Sequence, residues 1–153
     1  MRPVQSIRLR RGRERRLRSG HLWVYSNEIQ QPDDSPEAGV LVQLEDHRGR
    51  FLATAAYHPN ALIAARIWSR EEGEAINPTL LATRLTQAAQ RRKTLVPGWE
   101  AHRLVHAEAD YMPGLVVDRY GALAVIQSTS AFSDTVTGAL ADLLAGEHGC
   151  EYV

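Results

Sequence analysis

Residues 40–68 leave the chain little choice but to fold back on itself twice. Val40-Leu41-Val42-Gln43-Leu44 has the aliphatic, β-branched composition of a strand. Asp46-His47-Arg48-Gly49 follows as a tight hairpin turn, and residues 51–57 return as the next strand. Pro59-Asn60 turns again, and residues 62–68 supply a third. Upstream, Ile7 and Leu9 alternate with Arg8 and Arg10, the pattern of a half-buried strand that Gly12 breaks. Residues 13–19 favour one or two turns of helix, with Leu17 its main apolar contact and Gly20 its stop. Leu22-Trp23-Val24-Tyr25 then forms a compact apolar block that reads as core. Strands joined by short turns, with one short helix near the start, imply a small β-barrel or curled sheet over residues 1–69.

Pro32-Asp33-Asp34-Ser35-Pro36 is a loop by composition, and residues 70–76 read as an acidic, polar connector. A second module, residues 77–153, begins at Asn77-Pro78, a helix cap followed by proline in the first turn. Leu81, Leu85 and Ala88 recur at helical spacing, and Arg91, Arg92 and Lys93 suit the negative end of the helix dipole. Pro97-Gly98 ends that helix. Three strands are expected at residues 103–106, 115–118 and 123–127, with turns at Pro113-Gly114 and Arg119-Tyr120-Gly121. A helix over residues 134–145 should stop at Gly146. Residues 150–153 would open a further strand, the expected mark of a fragment of a longer protein. The fold class is therefore α+β.

The chain has 18 basic and 18 acidic residues and no formal net charge. The distribution is uneven. Arg2, Arg8, Arg10, Arg11, Arg13, Arg15, Arg16 and Arg18 crowd the first 20 residues, with Glu14 alone against them. A neutral total can thus hide one basic face. Guanidinium forks match phosphate oxygens, so the cluster points to RNA or DNA, since mutual repulsion makes it costly without an anionic partner. The single cysteine, Cys150, permits no intrachain disulfide. No apolar run is long enough for a membrane span, and a secretory signal is lacking. An arginine-rich start also suits a transit peptide, but here the arginines run without a spacer into the Trp23 segment. Cytoplasmic is the expectation.

Other candidate sites are weaker. Trp23 could stack on a base, but between Leu22 and Val24 it reads as core. His21, at the helix-to-strand junction, suits a local backbone hydrogen bond. His47, His58, His102, His106 and His148 are scattered, and no metal site is expected. Glu108 and Asp110 would share a face if on a strand, yet no nucleophile accompanies them, and a turn-stabilising role is preferred. Asp118 reads as turn chemistry, bonding local amides. Cys150 reads as a packed small residue. No catalytic residue, cofactor loop or phosphate loop is complete.

Arg11-Gly12-Arg13-Glu14 and Gly20-His21-Leu22-Trp23-Val24-Tyr25-Ser26, continuing through Asp46-His47-Arg48-Gly49, Ala56-Tyr57-His58-Pro59 and Ile63-Ala64-Ala65-Arg66-Ile67-Trp68, carry a resemblance. So do Arg103 to Asp110 and Met112-Pro113-Gly114-Leu115-Val116-Val117-Asp118-Arg119-Tyr120-Gly121. The chain resembles the N-terminal part of the bacterial large-subunit ribosomal RNA methyltransferases, S-adenosylmethionine-dependent enzymes that methylate cytosine at C5. The resemblance implies an N-terminal PUA-like pseudo-barrel and a small α/β connecting domain, truncated before a Rossmann-like catalytic domain. Two departures are local: the family commonly has Pro where Leu22 stands, and Gly-Leu where Tyr111-Met112 stand.

What the resemblance implies is an RNA-binding half that positions structured large-subunit rRNA, with S-adenosylmethionine belonging to the missing downstream domain. Cys150 should not inherit the catalytic role. The candidate RNA contacts are Arg8, Arg10, Arg11, Arg13, Arg15, Arg16 and Arg18, with Arg66 a weaker addition, mostly to phosphate and sugar. The alternative reading is an assembly or dimerisation module whose basic face binds an acidic protein or a second copy. A free-standing enzyme using Glu108 and Asp110 is the third.

Overall fold

The computed structural model describes residues 4–30 and 34–153, so Arg2 and the loop positions Pro32 and Asp33 lie outside the described residues. The chain divides into two compact units, residues 1–74 and 75–153.

The first unit is a curled five-stranded sheet. Its strands are β1 (Ser6–Arg8), β2 (Trp23–Tyr25), β3 (Val40–Glu45), β4 (Phe51–Tyr57) and β5 (Ile63–Ser69), in the order β1-β3-β4-β5-β2. The expected meander is β3-β4-β5, antiparallel throughout. β1 joins parallel to β3, and β2 antiparallel to β5. Register breaks at Leu44/Glu45, Thr54/Ala55 and Val24/Tyr25 add local twist, which curls a sheet. The curl brings the two edges together. Leu9, just past β1, forms an antiparallel bridge with Ile29, just past β2. Arg10 N donates to Glu28 O and Gln30 N to Arg8 O, at 2.8 and 2.9 Å. Edge groups that would be left unpaired in an open sheet are thereby partnered.

The interior follows from alternation. Ile7, Leu9, Val24, Val42, Leu44, Ala53, Ala55 and Ile67 form one buried cluster. Small alanines facing larger aliphatic side chains let so small a sheet curl without overfilling its inside. Leu17 joins the same cluster from α1 (Glu14–Arg18), 1% exposed. Trp23 departs from expectation. Only Val24 of β2 is buried; Trp23 and Tyr25 are half-buried, because period-two geometry sends them to the opposite face.

α1 ends as the sequence predicts. His21 N donates to Arg16 O and Gly20 N to Leu17 O, a Schellman pair with Gly20 at φ +101°. At the hairpin, Asp46 is fully buried and accepts from the backbone amides of Arg48 and Arg50, at 2.8 and 3.1 Å. Arg50 Nη2 lies 2.6 Å and Arg18 Nη2 3.2 Å from its other oxygen.

The second unit holds α2 (Pro78–Leu95), β6 (Ala101–His106), β7 (Leu115–Tyr120), β8 (Leu123–Ser128) and α3 (Ala131–Glu147). The sheet order is β6-β7-β8, antiparallel, with α2 against β6 and α3 against β8. Asn77 caps α2 by accepting from Leu80 N, as expected. Leu81, Leu85 and Ala88 form its buried stripe. Tyr152 forms a parallel bridge with Leu123.

Three expectations are corrected. Arg119 and Tyr120 belong to β7, and residues 121–122 make the turn, since Tyr120 pairs directly with Leu123. α3 starts at Ala131, not residue 134, because Ser130 and Ser133 form a capping box, and it passes through Gly146. A helical glycine costs only about 1 kcal/mol against alanine, too little to end a packed helix. Asp118 makes no turn; it lies in β7 and pairs across the sheet with Arg103 at 2.8 Å. That hydrogen bond holds its carboxyl below the ordinary range, against partial burial. The turn reading of Glu108 and Asp110 agrees with the structure, since both lie in a 3-10 turn, residues 107–110. Asp110 is buried, accepts from His106 N at 2.7 Å and pairs with Arg91 and Arg92, in keeping with a turn-stabilising role.

Two outcomes follow from the first unit. Burial pushes the Asp46 carboxyl up, but the Arg50 side chain and the Arg48 and Arg50 amides outweigh it and hold it well below the ordinary carboxylate range. Its stabilisation is therefore intact above the unfolded value of about 3.9 and drains away as pH falls further. Asp46→Asn should melt below wild type at pH 7, and the gap should narrow from about pH 4 towards pH 2. Gly20→Ala meets no atom within 4 Å. It should nonetheless lose about 1–2 kcal/mol in denaturant unfolding, from the left-handed backbone alone.

Candidate nucleic-acid interface

α1 is five residues long, too short to persist by its own hydrogen bonds. Its side chains and its end are tied down instead. Leu17 sits in the core, and Arg18 reaches buried Asp46. Arg16 Nη1 donates to Glu28 Oε1 at 3.0 Å, and Glu28, only 5% exposed, also accepts from Tyr25 N. From beyond the sheet, Arg70 donates to Leu17 O at 2.7 Å and His21 O at 2.9 Å. Its two nitrogens thus clamp the last turn of the helix to the chain just past it, adding a second donor to Leu17 O.

Against that frame the eight candidate arginines separate into groups. Arg8 in β1 pairs with Glu45 at 3.0 Å, and Arg10 donates its Nε to Ile29 O. Arg16 and Arg18 are the helix anchors just described. Arg66 in β5 lies over the Trp23 ring, 5.7 Å from its centroid, as Arg16 lies over Tyr25 at 5.0 Å. Arg11, Arg13 and Arg15 remain. All three are exposed, and among the described residues no hydrogen bond or ion pair holds their side chains. Within the chain, Glu45, Glu28 and Asp46 already supply an anion to Arg8, Arg16 and Arg18.

Two residues escaped the sequence reading. Arg70 fell in a stretch that looked like an acidic connector, with Glu71, Glu72 and Glu74. A signal was available only in the need of so short a helix for a distant cap. Arg48 is exposed in the hairpin, its side chain without a partner among the described residues, and Arg18 ties α1 to the same turn. His21 contributes its backbone amide to the Schellman pair, as expected, and its ring meets Arg16 Nη2 at 3.2 Å. Among the described residues no group of three His, Cys, Asp or Glu could hold a metal ion, and no helix is long and apolar enough to cross a membrane. A short helix beside an edge strand, carrying unpaired guanidiniums on a fixed base, is an arrangement suited to sugar-phosphate.

Residues 7–70 match the PUA-like domain family. The likeness to curated proteins extends beyond this domain. The chain is 34% identical over 142 residues to the ribosomal RNA large subunit methyltransferase I of Citrobacter koseri, covering 92% of this chain and 36% of the relative. With that of Pseudoalteromonas translucida it is 34% identical over 149 residues, covering 94% and 38%. The chain thus spans little more than a third of the length of these homologues. A solved structure from Streptococcus mutans shares the fold, with a TM-score of 0.82 at 17% identity over 96% of this chain and 39% of that one.

Anchors and free arginines of the PUA-like domain are separable by experiment. Arg70→Met removes two charge-assisted bonds to carbonyls and should lower unfolding free energy by about 1–2 kcal/mol. Changing Arg11, Arg13 and Arg15 together to Ala should leave it within about 0.5 kcal/mol per site, as surface changes do. Thermal melts of the two variants at one pH and salt make the comparison.

Proposed function

We propose that this chain is the RNA-binding portion of an S-adenosylmethionine-dependent methyltransferase acting on cytosine C5 of large-subunit ribosomal RNA. Its task is to hold and orient structured rRNA for catalysis carried out elsewhere in the protein. The observation that carries this reading is the set of unpartnered guanidiniums of Arg11, Arg13 and Arg15 around a helix whose other contacts are fixed. Similarity to large-subunit rRNA methyltransferases supports rRNA as the ligand, and the cytoplasm is the proposed compartment.

The described residues do not fit the cofactor. A nucleotide-type cofactor sits where a parallel strand runs through a glycine-rich turn into a helix. Among the described residues β8 runs directly into α3, but β8 is antiparallel and its turn, Thr129-Ser130, holds no glycine and is closed by hydroxyls. Ser128, Ser130 and Ser133 bond to one another at 2.7–2.8 Å and cap the helix start. They also press on Gly114, where a Cβ would meet both Ser130 Oγ and Ser133 Oγ at 2.8 Å. Methyl transfer is therefore assigned to none of these residues, and their part is binding and orientation.

The test is binding of the chain to a structured large-subunit rRNA fragment across a salt series. Each phosphate neutralised contributes roughly 0.7–0.9 to the slope of log affinity against log salt. The variant with Arg11, Arg13 and Arg15 changed to Ala should bind more weakly, with the slope flattened by roughly two to three. Equal, weak binding by both proteins would sink the reading and favour an acidic protein partner.

A further inference from the structure

The outward face of β2 does something that phosphate binding leaves unexplained. β2 is the last strand in the hydrogen-bonded order, and its two outward side chains are Trp23 and Tyr25. Each ring carries a guanidinium: Arg66, the cross-strand neighbour of Trp23 on β5, and Arg16 from α1. Both centroid distances fall within the range of a cation–π contact. Arg16 is fixed at its other side by buried Glu28. Two aromatic–guanidinium pairs therefore stand side by side on one strand, next to the helix that carries Arg15.

From this we infer that β2 is a stacking shelf for an unpaired base, so that the RNA taken by this surface is a helix with an unpaired nucleotide beside it. The inference rests on the RNA-binding reading above and narrows its ligand. Planar guanidiniums and aromatic rings both accept a nucleobase face to face, and a base can stack only once it is out of a helix. A fully paired A-form duplex presents phosphates to Arg11, Arg13 and Arg15 but no free base face. The shelf thus supplies selectivity and the free arginines supply attraction. The same shelf would take any of the four bases, since stacking reads a face and not an edge.

Two hairpins closed by the same structured tetraloop and of nearly equal length and charge test this, one with a fully paired stem and one with a single unpaired adenosine at the stem's flank. The intact chain should prefer the second by about tenfold or more, the usual effect of one stacked base. Trp23→Leu should erase that preference while keeping the salt slope, and Trp23→Phe should restore most of it. A second measurement needs no variant. With 2-aminopurine at the unpaired position, binding of the intact chain should quench its fluorescence, and unpaired 2-aminopurine placed far from the flank should stay bright.

Salt-dependent binding with no preference and no quenching would overturn the shelf and leave the RNA reading standing. A preference that survives in folded Trp23→Leu would also overturn it. Loss of salt-dependent binding to both hairpins would remove the RNA reading, and the shelf with it.

Discussion

A five-residue helix cannot stay folded on its own hydrogen bonds, because nucleation fixes several residues before any bond repays the entropy. Everything proposed for the first unit depends on how α1 escapes that limit. Leu17 buries into the sheet interior, Gly20 lets the chain close a Schellman pair, and Arg70 reaches back 53 residues to Leu17 O and 49 to His21 O. Arg16 and Arg18 complete the hold by reaching the buried carboxylates of Glu28 and Asp46. The helix is therefore a product of the sheet around it, and its geometry is only as good as those contacts.

The same contacts decide what the arginine-rich start can do. A guanidinium aimed at a buried carboxylate is largely neutralised and serves position; one without an internal partner keeps its charge for solvent or ligand. Burial makes the first kind worthwhile, since a charged carboxylate out of water needs close donors to stay ionised. Asp46 meets that need with the side chains of Arg18 and Arg50 and two backbone amides. Arg11, Arg13, Arg15 and Arg48 are the guanidiniums with no partner among the described residues, while Arg8 and Arg18 stay exposed beside their carboxylates. Net charge could not show this, because the neutralising acids are scattered along residues 28–46.

Much of the fold was legible because its signals are local. The β3-β4-β5 meander follows from alternation and two turns, α1 from Leu17 and Gly20, and α2 from Asn77-Pro78 and its buried stripe. Several of the misreadings share one cause. Trp23, Asp118 and Arg70 each take their role from a partner distant in sequence: a ring stacked by Arg66, a carboxylate facing Arg103, a guanidinium on α1. Tyr111 is a different case. It takes φ +57°, where the resembling family carries glycine, and Arg84 donates to its carbonyl oxygen. The sequence marked that position as unusual but not what holds it.

The barrel's closure explains why β2 can be a binding strand at all. An edge strand with exposed aromatic side chains invites non-specific pairing unless its backbone is occupied. Here one side of β2 pairs with β5, and the chain just beyond it is held against residues 8–10 by the Leu9–Ile29 bridge. Val24 then fixes the strand's facing by filling the interior, and the two-residue period leaves Trp23 and Tyr25 no other place than outside. A one-residue slip would bury both rings and expose Val24, which the small alanine-lined interior has no room to allow. The demand of the core for one valine is thus what presents the two rings, and the arginines from β5 and α1 stack where that demand puts them.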